Sequence, residues 1–229
     1  THVAEFLNTY DSILIAEEGY PVYEELLRGF SGNNKLRGRL DGTLPRTGEL
    51  NPDHIAQAFG IAIQQEYSIP AFVVNRPPEL CKGCSHRDLF EALQIVMKEY
   101  SHNHVFSDIG CYTLGALKPF EAINTCVDMG ASITMAKGAA DAGMHPAIGL
   151  IGDSTFTHSG ITGLLDAVND KSHVTIIISD NATTAMTGGQ DSAGTHKLHS
   201  ICEGIGVEPS HIRTITPISS GLQENIEII

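Results

Sequence analysis

Two apolar runs of this chain end in polar residues at matching points. "PAIGLIGD" (146–153) is apolar until Gly152 and then shows Asp153, and "HVTIIISDN" (173–181) ends at Asp180 and Asn181. A run that is apolar at nearly every position, rather than at every second one, is what a strand buried on both faces requires. Between the two lies "SGITGLLDAVND" (159–170), whose spacing is helical, so the segment reads strand, helix, strand. A right-handed crossover returns the chain parallel to its first strand, with the two strands side by side or nearly so and both polar tips on one edge. The arrangement calls for a parallel sheet with helices on both faces.

The alternation extends outward. Short β-branched runs at 104–108, 123–129 and 212–216 predict further strands, and 131–143 and 196–206 further helices. "CKGCSHRDLFEALQIVMKEY" (81–100) sets a Cys-x-x-Cys on a proline-led turn before another amphipathic helix. Upstream, 3–9 reads as a helix end, 12–18 as a strand and 21–30 as a helix with Val22, Leu26, Leu27 and Phe30 on one side. Residues 31–50 are rich in Gly, Asn and Arg without periodicity, which marks a linker or a functional crossing segment. From Asn51, with Pro52 at the first helical position, Ile55, Ala58, Phe59, Ala62 and Ile63 recur at helical spacing. The expected organisation is the tail of an upstream α/β domain (1–30), a connector (31–50) and a doubly wound α/β domain (51–229), with both ends of the chain cut.

Charge and cysteine content narrow the function classes. A net charge of −13 with no basic stripe argues against a nucleic-acid or membrane-surface partner. No apolar run approaches the roughly 18 residues of a membrane span, and no signal-peptide pattern opens the chain, so a cytoplasmic location is expected. Two of the five cysteines form the Cys-x-x-Cys, which in an intracellular chain suggests a metal or redox role before a structural disulfide.

A carboxylate at the tip of a buried strand needs a cation or hydrogen-bond donors. Asp153 and Asn181, brought to one crevice, can meet one ion. Oxygen ligands from an Asp, an Asn and a backbone carbonyl suit Mg²⁺, whose remaining positions phosphates and water fill. Gly152 and Ser154 are small enough for backbone to approach a phosphate, and a helix starting near Ser159 adds its N-terminal dipole. "MTGGQ" (186–190) is a second flexible, hydroxyl-bearing turn. The plainer reading is that Asp153 caps a helix while Asn181, Gly188 and Gly189 only make turns; it accounts for either turn alone more easily than for both.

Gly152-Asp153-Ser154, the spacer and the closing Asn181 resemble the diphosphate-binding motif of thiamine-diphosphate enzymes. More narrowly, "GDSTFTHSGITGLLDAV", "DNATTAMTGGQ" and "LCKGCSHR" together resemble the large subunit of the indolepyruvate:ferredoxin oxidoreductases, within the 2-oxoacid:ferredoxin oxidoreductase family, from about residue 40 to about residue 218. The resemblance implies thiamine diphosphate as cofactor, with Mg²⁺ held by Asp153, Asn181 and the Thr183 carbonyl. It makes Gly152, Ser154 and Thr155 contacts of the diphosphate. "VDMGASITMAKG" resembles the segment lining the thiazolium and substrate pocket, through Met129, Gly130 and Ala131. His86, Arg87 and His158, beside the motifs, are candidates for contacting the diphosphate or a substrate carboxylate.

In related oxidoreductases a Cys-x-x-Cys and a later Gly-Cys turn ligate a [4Fe–4S] cluster near the thiamine. Cys81, Cys84 and Cys111 match three of four such ligands, and the fourth is expected beyond residue 229. Zinc on Cys81, Cys84 and His86, or reduced thiols packing a turn, are the other readings. Cys126 and Cys202 read as small core residues.

The resemblance further implies a reaction in which the cofactor attacks the keto carbon of a small 2-oxoacid, an arylpyruvate such as indolepyruvate. Carbon dioxide leaves, two electrons pass to iron–sulfur clusters and on to ferredoxin, and coenzyme A takes the acyl group. A second domain or subunit supplies the activating glutamate, so a homo- or hetero-oligomer is expected and the isolated chain should not turn over. The rival readings are a non-oxidative thiamine enzyme, such as a decarboxylase or synthase, and a non-catalytic metal-binding module.

Overall fold

The computed structural model describes residues 2–31, 35–63, 70–74, 76–102 and 104–229. The chain divides into two compact units, Thr1–Asn75 and Arg76–Ile229. Among the described residues no helix is long and apolar enough to cross a membrane.

The first unit contains α1 (His2–Thr9), β1 (Ile13–Leu14), α2 (Val22–Ser31), β2 (Leu36–Arg37) and α3 (Pro52–Ala58). β1 and β2 pair in parallel, Ile13 with Leu36 and Leu14 with Arg37. Leu7, Ile13 and Leu36 form its small core, joined by Ile15 and Leu27. The aperiodic stretch after α2 is held by charge. Glu24 is fully buried and its carboxylate accepts from the Arg39 backbone N–H at 2.7 Å and from Arg28 Nη2 at 2.8 Å. The buried Arg39 guanidinium donates to the carbonyls of Glu17, Pro45 and Gly48 at 2.7, 2.7 and 3.0 Å. Buried charges persist only when so partnered. Residues 35–50 are therefore an ordered crossing around two buried ionic side chains.

Helix α3 lies in this first unit, tied to it by Arg37 Nη2 donating to the Ala58 carbonyl at 3.0 Å. Asn51 caps it, accepting from His54 N at 3.0 Å. It stops at Ala58, with Gly60 at φ +67°, and Phe59 and Ile61 are exposed. The longer helical pattern read from Asn51 does not form over Phe59–Ile63, and its end at 64–67 lies outside the described residues.

The second unit holds α4 (Ser85–Met97), β3 (Val105–Ser107), a 3-10 turn at Cys111–Ala116, α5 (Ala131–Asp141), β4 (Ile148–Gly152), α6 (Asp153–Thr155), α7 (Ile161–Asn169), β5 (Thr175–Ser179), α8 (Leu198–Ile205) and α9 (Leu222–Ile228). The sheet order is β3-β4-β5, all parallel, and Ile148–Gly152 pair residue by residue with Thr175–Ser179. All five β4 residues are buried. Its alternating side chains feed two cores, as a strand's period of two requires. Ile148 and Leu150 join Leu89, Phe90, Leu93 and Tyr112 on one face. Ile151 joins Ile133, Phe156, Leu164 and Cys202 on the other. Helices thus cover both faces of a parallel α/β sheet.

Two expected strands are absent. Residues 123–129 run beside β3, but side chains replace the ladder: Asn124 Oδ1 accepts from Val105 N and Thr125 Oγ1 from Ser107 N, each at 2.8 Å. Short polar side chains compete with backbone pairing in this way. Residues 212–216 form no strand either; Ile215 packs on the first core and the Thr216 carbonyl accepts from Asn225 Nδ2 at 3.1 Å. The helix predicted to begin near Ser159 begins at Asp153. α6 runs through a widened π segment, Phe156–Gly160, into α7.

Candidate functional site

Parallel α/β sheets present ligand crevices at the carboxyl ends of their strands. The neighbouring strands β4 and β5 end here at Gly152 and Ser179, opposite one another. Gly152 is the N-cap of α6, so Asp153 opens a helix directly from a buried strand and is itself 2 % exposed. After β5 the chain turns sharply. The Asp180 carboxylate accepts from Ala182 N at 2.8 Å, and Ala182 stands in the left-handed region at φ +55°. That conformation is unfavourable for a non-glycine residue and collects at functional sites. Its effect is to aim the Asn181 side chain and the Thr183 carbonyl the same way.

They are aimed at Asp153. One terminus of the Asn181 amide lies 3.2 Å from Asp153 Oδ1 and 2.8 Å from the Thr183 carbonyl oxygen. With the amide oxygen inward, it accepts only a long 3.3 Å bond from Thr183 N and confronts two other oxygens. With the nitrogen inward, it donates to both. Asp153 Oδ2 is buried without any hydrogen-bond partner. With the amide oxygen inward, three oxygens converge beside an orphaned buried carboxylate oxygen, a set of hard donors that could hold a cation. Bonds of about 2.0–2.1 Å to an octahedral Mg²⁺ separate adjacent ligand oxygens by about 2.9 Å, and the spacings seen here match that edge.

The flanking hydroxyls converge too. Thr184 Oγ1 donates to Ser154 Oγ at 2.9 Å, joining the two turns, and Thr155 Oγ1 donates to the Ile109 carbonyl at 3.0 Å. The "MTGGQ" turn closes on itself, Thr184 N donating to the Gln190 carbonyl at 2.7 Å, and leaves Met186 exposed. Met129 is 37 % exposed and its carbonyl accepts from Ser159 Oγ at 2.7 Å, while His158 Nδ1 meets the same hydroxyl at 2.7 Å. Gly130 sits at φ +95°, where a Cβ would fall 2.8 Å from the Ser159 carbonyl oxygen. Here glycine is required twice over, by backbone and by space.

His86 is 2 % exposed and lies along Tyr112, the ring centroids 6.2 Å apart and the planes 25° apart. Burial pushes its imidazole below the usual range, and the charge of Asp153 pulls it part of the way back. Its Nδ1 faces Cys84 Sγ at 3.2 Å. Cys111 is raised by burial first and then by the proximity of Cys84 and Cys81, so the three predicted cysteines share one neighbourhood. All five cysteines are free. Among the described residues no three His, Cys, Asp or Glu side chains are arranged to hold a metal ion, so neither the zinc set nor the cluster set is assembled. Arg87 points elsewhere, donating to the Leu80 carbonyl at 3.2 Å and lying over the Phe120 ring at 5.4 Å. Of the two cysteines read as core residues, Cys202 is buried and Cys126 is exposed.

Sequence reasoning missed the residues behind the site. Asp108 is fully buried at the end of β3 and accepts from Gly130 N at 3.0 Å, Ser132 N at 3.3 Å, Ser132 Oγ at 2.6 Å and the Tyr112 hydroxyl. The signal was faint: only Val105 and Phe106 are apolar ahead of Asp108, and the polar Ser107 stands between.

Residues 108–215 match the thiamine pyrophosphate enzyme family, C-terminal thiamine pyrophosphate-binding domain. Residues 108–215 thus form a thiamine pyrophosphate-binding domain of this C-terminal type. The chain is 35% identical over 241 residues to the indolepyruvate oxidoreductase subunit IorA of Methanothermobacter thermautotrophicus, a match covering 95% of this chain and 38% of that protein. It is 34% identical over 229 residues to the same subunit of Archaeoglobus fulgidus, covering 90% of this chain and 37% of that one. The chain therefore spans less than half the length of these relatives. Among solved structures, benzoylformate decarboxylase from Polynucleobacter necessarius aligns with 76% of this chain and 37% of its own, at 15% identity and a TM-score of 0.43.

Proposed function

We propose that this chain carries the magnesium- and diphosphate-binding part of a cytoplasmic, thiamine-diphosphate-dependent 2-oxoacid:ferredoxin oxidoreductase acting on an arylpyruvate such as indolepyruvate. The observation that carries the reading is the convergence of Asp153 Oδ1, the Asn181 amide and the Thr183 carbonyl beside an unpartnered Asp153 Oδ2. The similarity to indolepyruvate oxidoreductase subunits favours the oxidative reaction over a decarboxylase or a non-catalytic module.

Bound there, thiamine diphosphate would supply the carbanion chemistry that removes carbon dioxide from the 2-oxoacid and leaves two electrons for ferredoxin and an acyl group for coenzyme A. The protein's part is binding and orientation. Asp153, Asn181 and Thr183 would hold Mg²⁺ through one charged and two neutral oxygens. Gly152, Ser154 and Thr155 would line the diphosphate, Ser154 and Thr184 exchanging their mutual hydrogen bond for bonds to phosphate oxygens. Met129 and Gly130 would edge the thiazolium side. His86, held below the usual imidazole range by burial, would accept a hydrogen bond from the Cys84 thiol at Nδ1 and bring no charge toward the cation.

Cys81, Cys84 and Cys111 are three thiols for a [4Fe–4S] cluster that takes four. As they stand they form no such group, and no electron-transfer step is assigned to them. In the domain arrangement that accompanies this reading, the first unit, α3 included, belongs with an upstream α/β domain and its connector, and Arg76–Ile229 form the thiamine-diphosphate domain. Another domain or subunit completes the site.

The test is calorimetric titration of thiamine diphosphate with and without Mg²⁺ into the full-length protein and into Asp153→Ala. Binding that needs Mg²⁺ and vanishes in the variant supports the reading. Binding unchanged by the substitution, or absent from the unaltered protein, ends it.

A further inference from the structure

Behind the cation site lies a buried network that none of the ligands uses. Asp108 has no exposed surface, yet its carboxylate is held by four donors: Gly130 N and both Ser132 groups on Oδ2, and the Tyr112 hydroxyl on Oδ1. The two carboxylate oxygens reach two different walls of the crevice. Gly130 and Ser132 begin α5, and the left-handed Gly130 packs so closely on Ser159 that a Cβ would lie 2.8 Å from its carbonyl oxygen. Tyr112 packs on the other wall. A Cβ on Gly152 would fall 2.6 Å from its Cε1, so the ring lies flush against the backbone that delivers Asp153. The other face of the phenol network is consistent: burial and Asp108 raise the Tyr112 phenol, while the Thr155 hydroxyl and the Gly152 N–H act in the opposite direction. The residue after Asp108 adds a strut, the Ile109 carbonyl accepting from Thr155 Oγ1 at 3.0 Å.

The geometry points to Asp108 as a positioning residue for the diphosphate and cation site, acting through Tyr112 on the Gly152–Asp153 turn and through Gly130 and Ser132 on the Met129–Gly130 turn. The inference rests on the thiamine-diphosphate reading and adds to it a residue that touches neither the cation nor the cofactor. A carboxylate can do this where an apolar residue cannot, because it accepts on both oxygens at once and so ties two elements in fixed register. Partners behind first ligands commonly set affinity by about tenfold to a hundredfold.

The experiment compares Asp108→Ala, Asp108→Asn and Tyr112→Phe with the unaltered full-length protein. Dissociation constants for Mg–thiamine diphosphate are measured by calorimetry, alongside melting temperature. Asn keeps one oxygen for Gly130 and Ser132 and turns its amide nitrogen to the Tyr112 oxygen, which then accepts. Asp108→Ala is expected to weaken binding about tenfold or more, and Asp108→Asn to restore it to within about threefold of the unaltered protein. A tyrosine near-ultraviolet difference signal on cofactor binding should appear in the unaltered protein and be lost in Tyr112→Phe. If Asp108→Ala does not fold, Asp108→Asn and Tyr112→Phe decide: near-native affinity in the first with a signal lost in the second supports the role. Alanine binding as tightly as aspartate, asparagine losing at least tenfold, or a difference signal that survives Tyr112→Phe overturns it. Absence of Mg²⁺-dependent binding in the unaltered protein overturns the thiamine-diphosphate reading, and this inference with it.

Discussion

Asp153 Oδ1 and the inner terminus of the Asn181 amide stand 3.2 Å apart across the tips of two neighbouring parallel strands, and the second Asp153 oxygen is buried with no partner. A buried carboxylate oxygen without a partner is unfavourable, and the proposed cation would relieve it. An unsatisfied buried acceptor costs about 1–3 kcal/mol. Asp153→Asn should therefore leave the metal-free protein as stable as before or more stable by about 1 kcal/mol, while abolishing the rise in melting temperature that Mg²⁺ and thiamine diphosphate bring. Thermal denaturation with and without ligand reads both effects; a variant that melts markedly lower without ligand would contradict the account.

The Asn181 amide has two useful orientations. Nitrogen-inward it donates to Asp153 and Thr183, and oxygen-inward it would serve the proposed cation. Asn181→Asp removes the first orientation and sets two carboxylates face to face, a pair that shares a proton. Asn181→Asp should therefore lower the melting temperature measured without Mg²⁺ and enlarge the rise that Mg²⁺ brings, read by thermal denaturation with and without the ion.

His86 gives a pH signature. Burial depresses its folded pKa below the ordinary value of 6.5, so above 6.5 both folded and unfolded forms are neutral and stability is complete. As pH falls below 6.5 the unfolded chain takes up the proton first, and stability declines until the folded form also protonates. His86→Gln should flatten that decline relative to the unaltered protein in urea titrations between pH 7.5 and about pH 5. Parallel curves for the two proteins would contradict it.

Gly130→Ala meets two obstacles, a left-handed backbone and the Ser159 carbonyl 2.8 Å from the new Cβ. A loss of about 2 kcal/mol or more is expected, the positive φ alone costing about 1–2 kcal/mol. For a domain this size that corresponds to roughly 4–8 °C in melting temperature. Gly138→Ala, with open space at its Cβ in the same helix, is the control and should stabilise slightly.

In the first unit, Glu24→Ala would remove the carboxylate that pairs with Arg28, which also donates to the Leu36 carbonyl, and the acceptor of the Arg39 and Leu40 N–H groups. A cost of about 3–5 kcal/mol is expected. Limited proteolysis should then cut within 35–50 well before any other part of the unit.

How much of this was legible in advance follows the range of the signals. The apolar runs ending at Asp153 and Asn181 announce two strand tips, because hydrophobic periodicity is a property of neighbouring residues. The helix predicted at 159–170 was recognisable but misplaced at its start, since the π segment over Phe156–Gly160 carries the helix back to Asp153 without a capping residue to mark it. Residues 123–129 have β-branched composition and form no strand, because Asn124 and Thr125 offer β3 side-chain oxygens in place of carbonyls. Composition cannot distinguish those two kinds of acceptor.

By itself the sequence determined the alternation of strand and helix, the parallel sheet that follows from it, and the carboxylate and amide at the ends of two strands. Tertiary structure alone decided that Ala182 turns Asn181 and Thr183 toward Asp153, that Glu24 and Arg39 order an aperiodic crossing, and that Asp108 and Tyr112 stand behind the site. The reason is physical. Burial is a matter of local pattern, whereas the partner of a buried polar atom is supplied by whichever distant segment packing brings within hydrogen-bond reach.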